Sequence, residues 1–152
     1  MSGLKEFEEY IKSGIVSEVS SDVSRARSLI DESSSRKKFL SEMISKIGIS
    51  EENANYFIEN AYDVLISLLR AKLLLNGYKT RGEGAHEAEV SYMKKLGFSE
   101  NNVRFMDNLR YHRNGIKYYG KRFDSEYAQK VVSFMEKTFS SLTNLIEEFR
   151  SI

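Results

Sequence analysis

A chain of 152 residues has room for one well-formed hydrophobic core and is short for two ordinary domains. At 41% hydrophobic and 30% charged it falls outside the disordered and membrane-embedded classes, and a net charge of +1 excludes any function resting on a global field. Cysteine is absent, which excludes disulfides and thiolate chemistry and agrees with a reducing, cytoplasmic location.

From the N-terminus, Lys5, Glu6, Glu8 and Glu9 interrupt any apolar leader, so no signal peptide is expected. Leu4 to Ser13 predicts a short amphipathic helix ended by Gly14. Ser20, Ser21 and Asp22 open the next helix, which carries Val23, Ala26, Ile30, Leu40, Ile44 and Ile47 at three- and four-residue steps and closes at Gly48. Its polar middle, Asp31 to Lys38, reads as a solvated or kinked turn, or as a break into two helices. Ser50 and Asn53 begin a third helix with a wide apolar face of Ala54, Phe57, Ile58, Ala61, Leu65, Leu68, Leu69 and Leu73, the pattern of a central helix. Its apolar run, Val64 to Leu75, contains Arg70 and Lys72 and is too short to span a bilayer. Asn76 and Gly77 end it, and Tyr78 to Gly84 is expected to be a basic loop. Ala85 to Leu96 predicts a shorter helix stopped by Gly97. Ser99 caps another that runs through Leu109 and onward to Gly120. The last helix, Ser125 to Phe149, aligns Tyr127, Val131, Phe134, Thr138, Leu142, Leu145 and Phe149 along one seam. No proline interrupts any of this, and no stretch shows sustained two-residue alternation. The expectation is an all-α, single-domain antiparallel bundle of five to six helices over 1–152.

One stretch departs from the balanced charge. Arg110 to Arg122 holds five cations and no acid. Projected at about 100° per residue, Phe105, Met106, Leu109 and Ile116 define an apolar arc with Arg113 inside it. Arg110 and Lys117 flank one side of the arc, and His112 and Tyr119 the other. An arginine in an apolar seam is costly unless its guanidinium is paired or opens into a cleft. Two readings stand: a structural ion pair with Asp63 or Asp107, or an anion site in which Arg113, Arg110 and Lys117 hold phosphate beside tyrosine rings.

Arg113-Asn114, three further residues and Tyr118 on a late helix resemble the signature of the HEPN (higher eukaryotes and prokaryotes nucleotide-binding) family, where Arg and a polar residue precede His. The order of parts is also similar: an apolar helix ending Leu73-Leu74-Leu75-Asn76-Gly77-Tyr78-Lys79, a short helix opening Gly84-Ala85-His86-Glu87-Ala88-Glu89, then the Arg-Asn helix and a terminal helix. The resemblance covers Ala54 to Phe149 most clearly. It implies a homodimeric helical bundle that binds RNA or a nucleotide, with a minimal nucleotidyltransferase as partner in a toxin–antitoxin type pair and with neither cofactor nor metal. Carried onto this sequence, Arg113 would hold phosphate, Arg110 and Lys117 would add local field, and Asn114 and Tyr118 would position the ligand. The family's histidine position is held by Tyr118. An unperturbed tyrosine titrates near pH 10 and is a poor general base near neutrality, so the expectation is binding rather than cleavage. The alternatives are a metal-independent ribonuclease using Arg113 with Tyr118 or His112, and a purely structural interaction module.

Elsewhere the signals are weaker. His86 has Glu83 and Glu89 near it in sequence but no second histidine, and reads as an ordinary, partly exposed side chain rather than a metal ligand. Lys79, Thr80 and Arg81 with Gly82 and Gly84 lack the Walker spacing and would at most add charge to a cleft rim. Tyr118 and Tyr119 beside Lys117, Lys121 and Arg122 have the makings of a base-stacking surface, or else fill a core edge.

Overall fold

A computed structural model describes residues 3–150, without the side chains at 148–150. Among these residues the chain forms α1 (Phe7–Lys12), β1 (Val16–Glu18), α2 (Val23–Ile47), α3 (Ala54–Leu75), β2 (Tyr78–Thr80), α4 (Ala85–Lys95), α5 (Glu100–Tyr119) and α6 (Ser125–Arg150). It is an all-α helical bundle with one small ribbon.

Local signals set the helix ends. The Asp22 carboxylate accepts the Arg25 N–H at 3.0 Å to start α2, and the Ser99 hydroxyl accepts the Asn102 N–H at 3.2 Å to start α5. At the far end of α5, Gly120 takes a left-handed conformation (φ +64°) that turns the chain back, and the Lys121 N–H then reaches the Gly115 carbonyl at 3.1 Å.

Packing is organised around α3. Phe57, Ile58, Ala61, Leu65, Leu68 and Leu69 are all buried there, each large one contributing about 1.5–3 kcal/mol. Contacts Ser21–Leu75, Ser33–Val64 and Arg36–Asn60 run in opposite directions along the two chains, so α2 is antiparallel to α3. The contacts Arg113–Asp63 and Lys121–Asn55 show the same for the α5 side. Phe105–Phe134 and His112–Tyr127 make α6 antiparallel to α5.

Three sequence expectations change. The turn or break expected over Asp31 to Lys38 is continuous helix. Ser33 faces inward and its hydroxyl donates to the Val64 carbonyl at 2.7 Å, a buried partner that the polar composition hides. The loop expected from Tyr78 opens instead with β2, which pairs antiparallel with β1 in the register Val16↔Thr80, Ser17↔Lys79, Glu18↔Tyr78. Strands of three residues are too short to display a period. The ribbon closes a second small core of Phe7, Tyr10, Val16, Leu73, Ala88 and Tyr92. Finally, the α6 seam lies slightly round from its expected line. Val131, Thr138 and Leu142 are buried, but Phe134 and Leu145 are partly exposed while Ala128, Met135 and Ile146 take the centre. Phe149 lies outside the described side chains. No helix of the described residues is long and apolar enough to cross a membrane.

Candidate functional site

The basic stretch occupies the second half of α5 and the loop after it, and its side chains divide into two groups. Arg110 and Arg113 turn inward. Arg113 donates from Nη2 to the Asp63 carboxylate at 3.3 Å, its guanidinium lies 5.5 Å from the centre of the Tyr62 ring, and its side chain is only 13% exposed. Its Nε is buried without a partner among the described residues, as is the Tyr62 hydroxyl beside it. Burial pushes the Tyr62 phenol far up, with the Glu89 charge adding to the effect, so it stays protonated. Arg110 donates from Nε to Asp107 at 2.9 Å and approaches Glu87 on α4 at 3.7 Å. Both acids proposed as partners from sequence are thus engaged, one by each arginine.

The second group faces outward. Tyr111, His112, Asn114, Gly115, Tyr118, Tyr119 and Lys121 line an open groove of about 530 Å³. Tyr111, Tyr118 and Tyr119 are 53%, 64% and 80% exposed, and among the described residues no carboxylate lines the groove. These three rings therefore stand in water rather than filling a core edge. Lys117 is exposed and places its ammonium 5.5 Å from the Tyr118 ring centre. The helix periodicity accounts for both groups: Asn114 and Tyr118 are four apart on one face, while Arg113 follows Met106 and Leu109 onto the opposite one.

Lys121 reaches the groove because the chain folds back at Gly120. Its aliphatic stem lies over Gly115, where an added Cβ would meet the Lys121 Cδ at 3.2 Å. The returning loop is pinned to the start of α3. The Asn55 amide donates to the Lys121 carbonyl at 2.8 Å, and its oxygen accepts the Phe123 N–H at 3.0 Å. Glu51 accepts from both the Ser125 N–H and its hydroxyl, at 3.1 and 2.7 Å. Asn55 and Glu51 carried no signal in the sequence, because their partners lie more than sixty residues away.

His112 sits at the groove wall, against Phe123, with Nδ1 2.8 Å from the Tyr127 hydroxyl. Burial and then the nearby Lys121 charge hold its imidazole below the usual histidine range, so it is neutral near pH 7. Burial pushes the Tyr127 phenol up to about 12, which keeps a proton available to donate to Nδ1.

A further polar cluster lies between α3, α4 and β2; the sequence set Glu89 beside His86 but gave no sign of Arg70 and Thr80 joining them. Glu89 is wholly buried, and its carboxylate accepts from Arg70 Nε and Nη2 at 2.7 and 3.1 Å and from Thr80 at 2.7 Å, with His86 Nδ1 at 3.1 Å. Burial alone would raise its carboxyl, but the bonds from His86, Arg70 and Thr80 outweigh it and hold the group ionised. Among the described residues no three His, Asp or Glu converge as a metal site would.

The fold and this site together define a helical bundle carrying a tyrosine-lined groove with no acid among the described residues of its lining. In comparisons with known proteins, no family model, no curated protein and no solved structure matches the chain.

Proposed function

We propose that this chain is a HEPN-like, non-catalytic binding module for single-stranded RNA or a nucleotide, with the ligand's bases stacked on Tyr118, Tyr119 and Tyr111. The supporting observation is the groove itself: three exposed tyrosines, Asn114 to hydrogen-bond a base edge, Lys121 and the neighbouring Lys117 to meet phosphate, and no acid among the described residues of the lining. Base stacking on an aromatic side chain is tolerant of sequence and is worth about 1–3 kcal/mol per base. Arg113 ties the helix that carries these groups to Asp63 on α3, and Arg110, between Asp107 and Glu87 on α4, ties it on the other side, their charges largely offset by those acids. The family resemblance adds a homodimer and a nucleotidyltransferase-type partner to this reading.

Fluorescence anisotropy with a labelled short RNA tests it. Tyr118→Ala and Tyr119→Ala should each weaken binding roughly 5- to 150-fold, and Lys121→Gln should lower the salt slope by about 1. Affinities unchanged in both tyrosine variants would sink the proposal.

A second reading rests on His112, a neutral imidazole at the wall of the same groove. A metal-independent ribonuclease would use it as the proton carrier for a ribose hydroxyl. RNA cleavage in the presence of chelator, lost in His112→Ala, is its expected sign. Intact RNA after prolonged incubation removes it.

A further inference from the structure

A second recess lies where the first turn of α2 meets the C-terminal end of α3, β2 and the start of α4. It measures about 120 Å³ and is lined by Arg25, Arg70 and Lys79 together with Leu73, Leu74, Tyr78, Thr80 and Ala85. Three cations line it and, among the described residues, no carboxylate does. It shares no residue with the tyrosine groove.

The arrangement around Arg70 distinguishes this recess from a solvated basic surface. The buried Glu89 takes Nε and Nη2, which fixes the plane of the guanidinium and leaves Nη1 without a protein partner among the described residues. Glu89 is itself held by Thr80 and His86, so the anchor cannot swing away. A guanidinium fixed in advance loses little freedom when an anion arrives. Arg25 and Lys79 make no ion pair among the described residues, and the Asp22 carboxylate next to Arg25 is engaged by the Arg25 backbone N–H. The leucine and tyrosine walls lower the local dielectric and strengthen each charge contact. At about 120 Å³ against about 530 Å³ for the tyrosine groove, the recess suits a single oxyanion better than a nucleoside.

The geometry points to a phosphate-binding site in which Arg70 is the fixed donor and Arg25 and Lys79 close over the anion. The phosphate arrives either as the free ion or as the terminal group of an ester whose remainder stays outside the recess.

Titration of the isotopically labelled chain with inorganic phosphate, against sodium chloride at matched ionic strength, tests this by amide and arginine side-chain NMR shifts. Saturable shifts are expected at Arg25, Arg70, Lys79, Thr80 and Ala85. The exposed double variant Arg25→Gln/Lys79→Gln, which leaves the Arg70–Glu89 pair intact, should bind at least tenfold more weakly. AMP that binds as well as phosphate identifies an esterified phosphate, and AMP that is refused while phosphate binds identifies the free ion. Shifts that chloride reproduces, shifts undiminished in the double variant, or equal shifts with adenosine would each overturn the proposal.

Discussion

Arg113 shows how much a single side chain's partner decides. Its position between Met106 and Leu109 was legible at helical spacing, and so was the need for a partner. That the acid it meets is Asp63 depends on where α3 lies. Arg113→Ala should leave the one-third-exposed Asp63 without its cation and cost about 1–2 kcal/mol in denaturant unfolding, the charged hydrogen bond being discounted for solvent. RNA affinity should stay within about threefold of the unmodified chain, a change under about 0.7 kcal/mol. Lost binding with unchanged stability would return the phosphate contact to Arg113. His112 makes a different prediction. Its folded-state pKa is lowered, so the unfolded chain binds the proton more readily, and stability should fall as pH drops below about 6.5, the unperturbed histidine value. His112→Asn should flatten that part of the stability profile, measured by thermal melts from pH 7.5 to 5. A profile that keeps its slope would place the proton uptake elsewhere.

The groove depends on the α5–α6 connection more than on either helix alone. Gly120 supplies the left-handed turn, Gly115 leaves room for the Lys121 stem, and Asn55 binds the backbone of residues 121 and 123 from another helix. Asn55→Ala removes both bonds at once. It should lower stability by about 1–2 kcal/mol and also weaken RNA binding, because Lys121 loses its placement. A loss of stability with unchanged affinity and unchanged salt dependence would separate the loop from the groove. The helices themselves were legible from caps and periodicity: Asp22, Ser99, Gly48 and Gly120 all stand at the ends their chemistry favours. The β1–β2 ribbon was not, because three-residue strands owe their existence to a partner about sixty positions away. Ser33 was misleading for the same reason, since its buried acceptor belongs to α3.

Across the whole molecule, the two candidate sites use different parts of the bundle. The tyrosine groove is built by the end of α5 and its return loop, and the phosphate recess by α2, α3, β2 and α4. The proposed homodimer predicts a solution mass near twice the 17.5 kDa of the chain by light scattering. Tyr118→Ala/Tyr119→Ala should keep that mass while losing RNA affinity. A fall to the monomer mass in this variant would make the tyrosine face a subunit interface and remove it as an RNA surface.

The helical class, the central place of α3, the helix ends and the unusual charge of Arg110 to Arg122 all follow from the sequence by itself. Each rests on the spacing of apolar residues or on a capping residue a few positions from what it caps. The tertiary structure alone decided which acid each inward arginine meets and which aromatic rings stay in water. It also buried Glu89 behind Arg70 and folded Lys121 over Gly115. Those outcomes depend on acids, amides and carbonyls brought together from distant parts of the chain, and burial rather than residue type sets their energies.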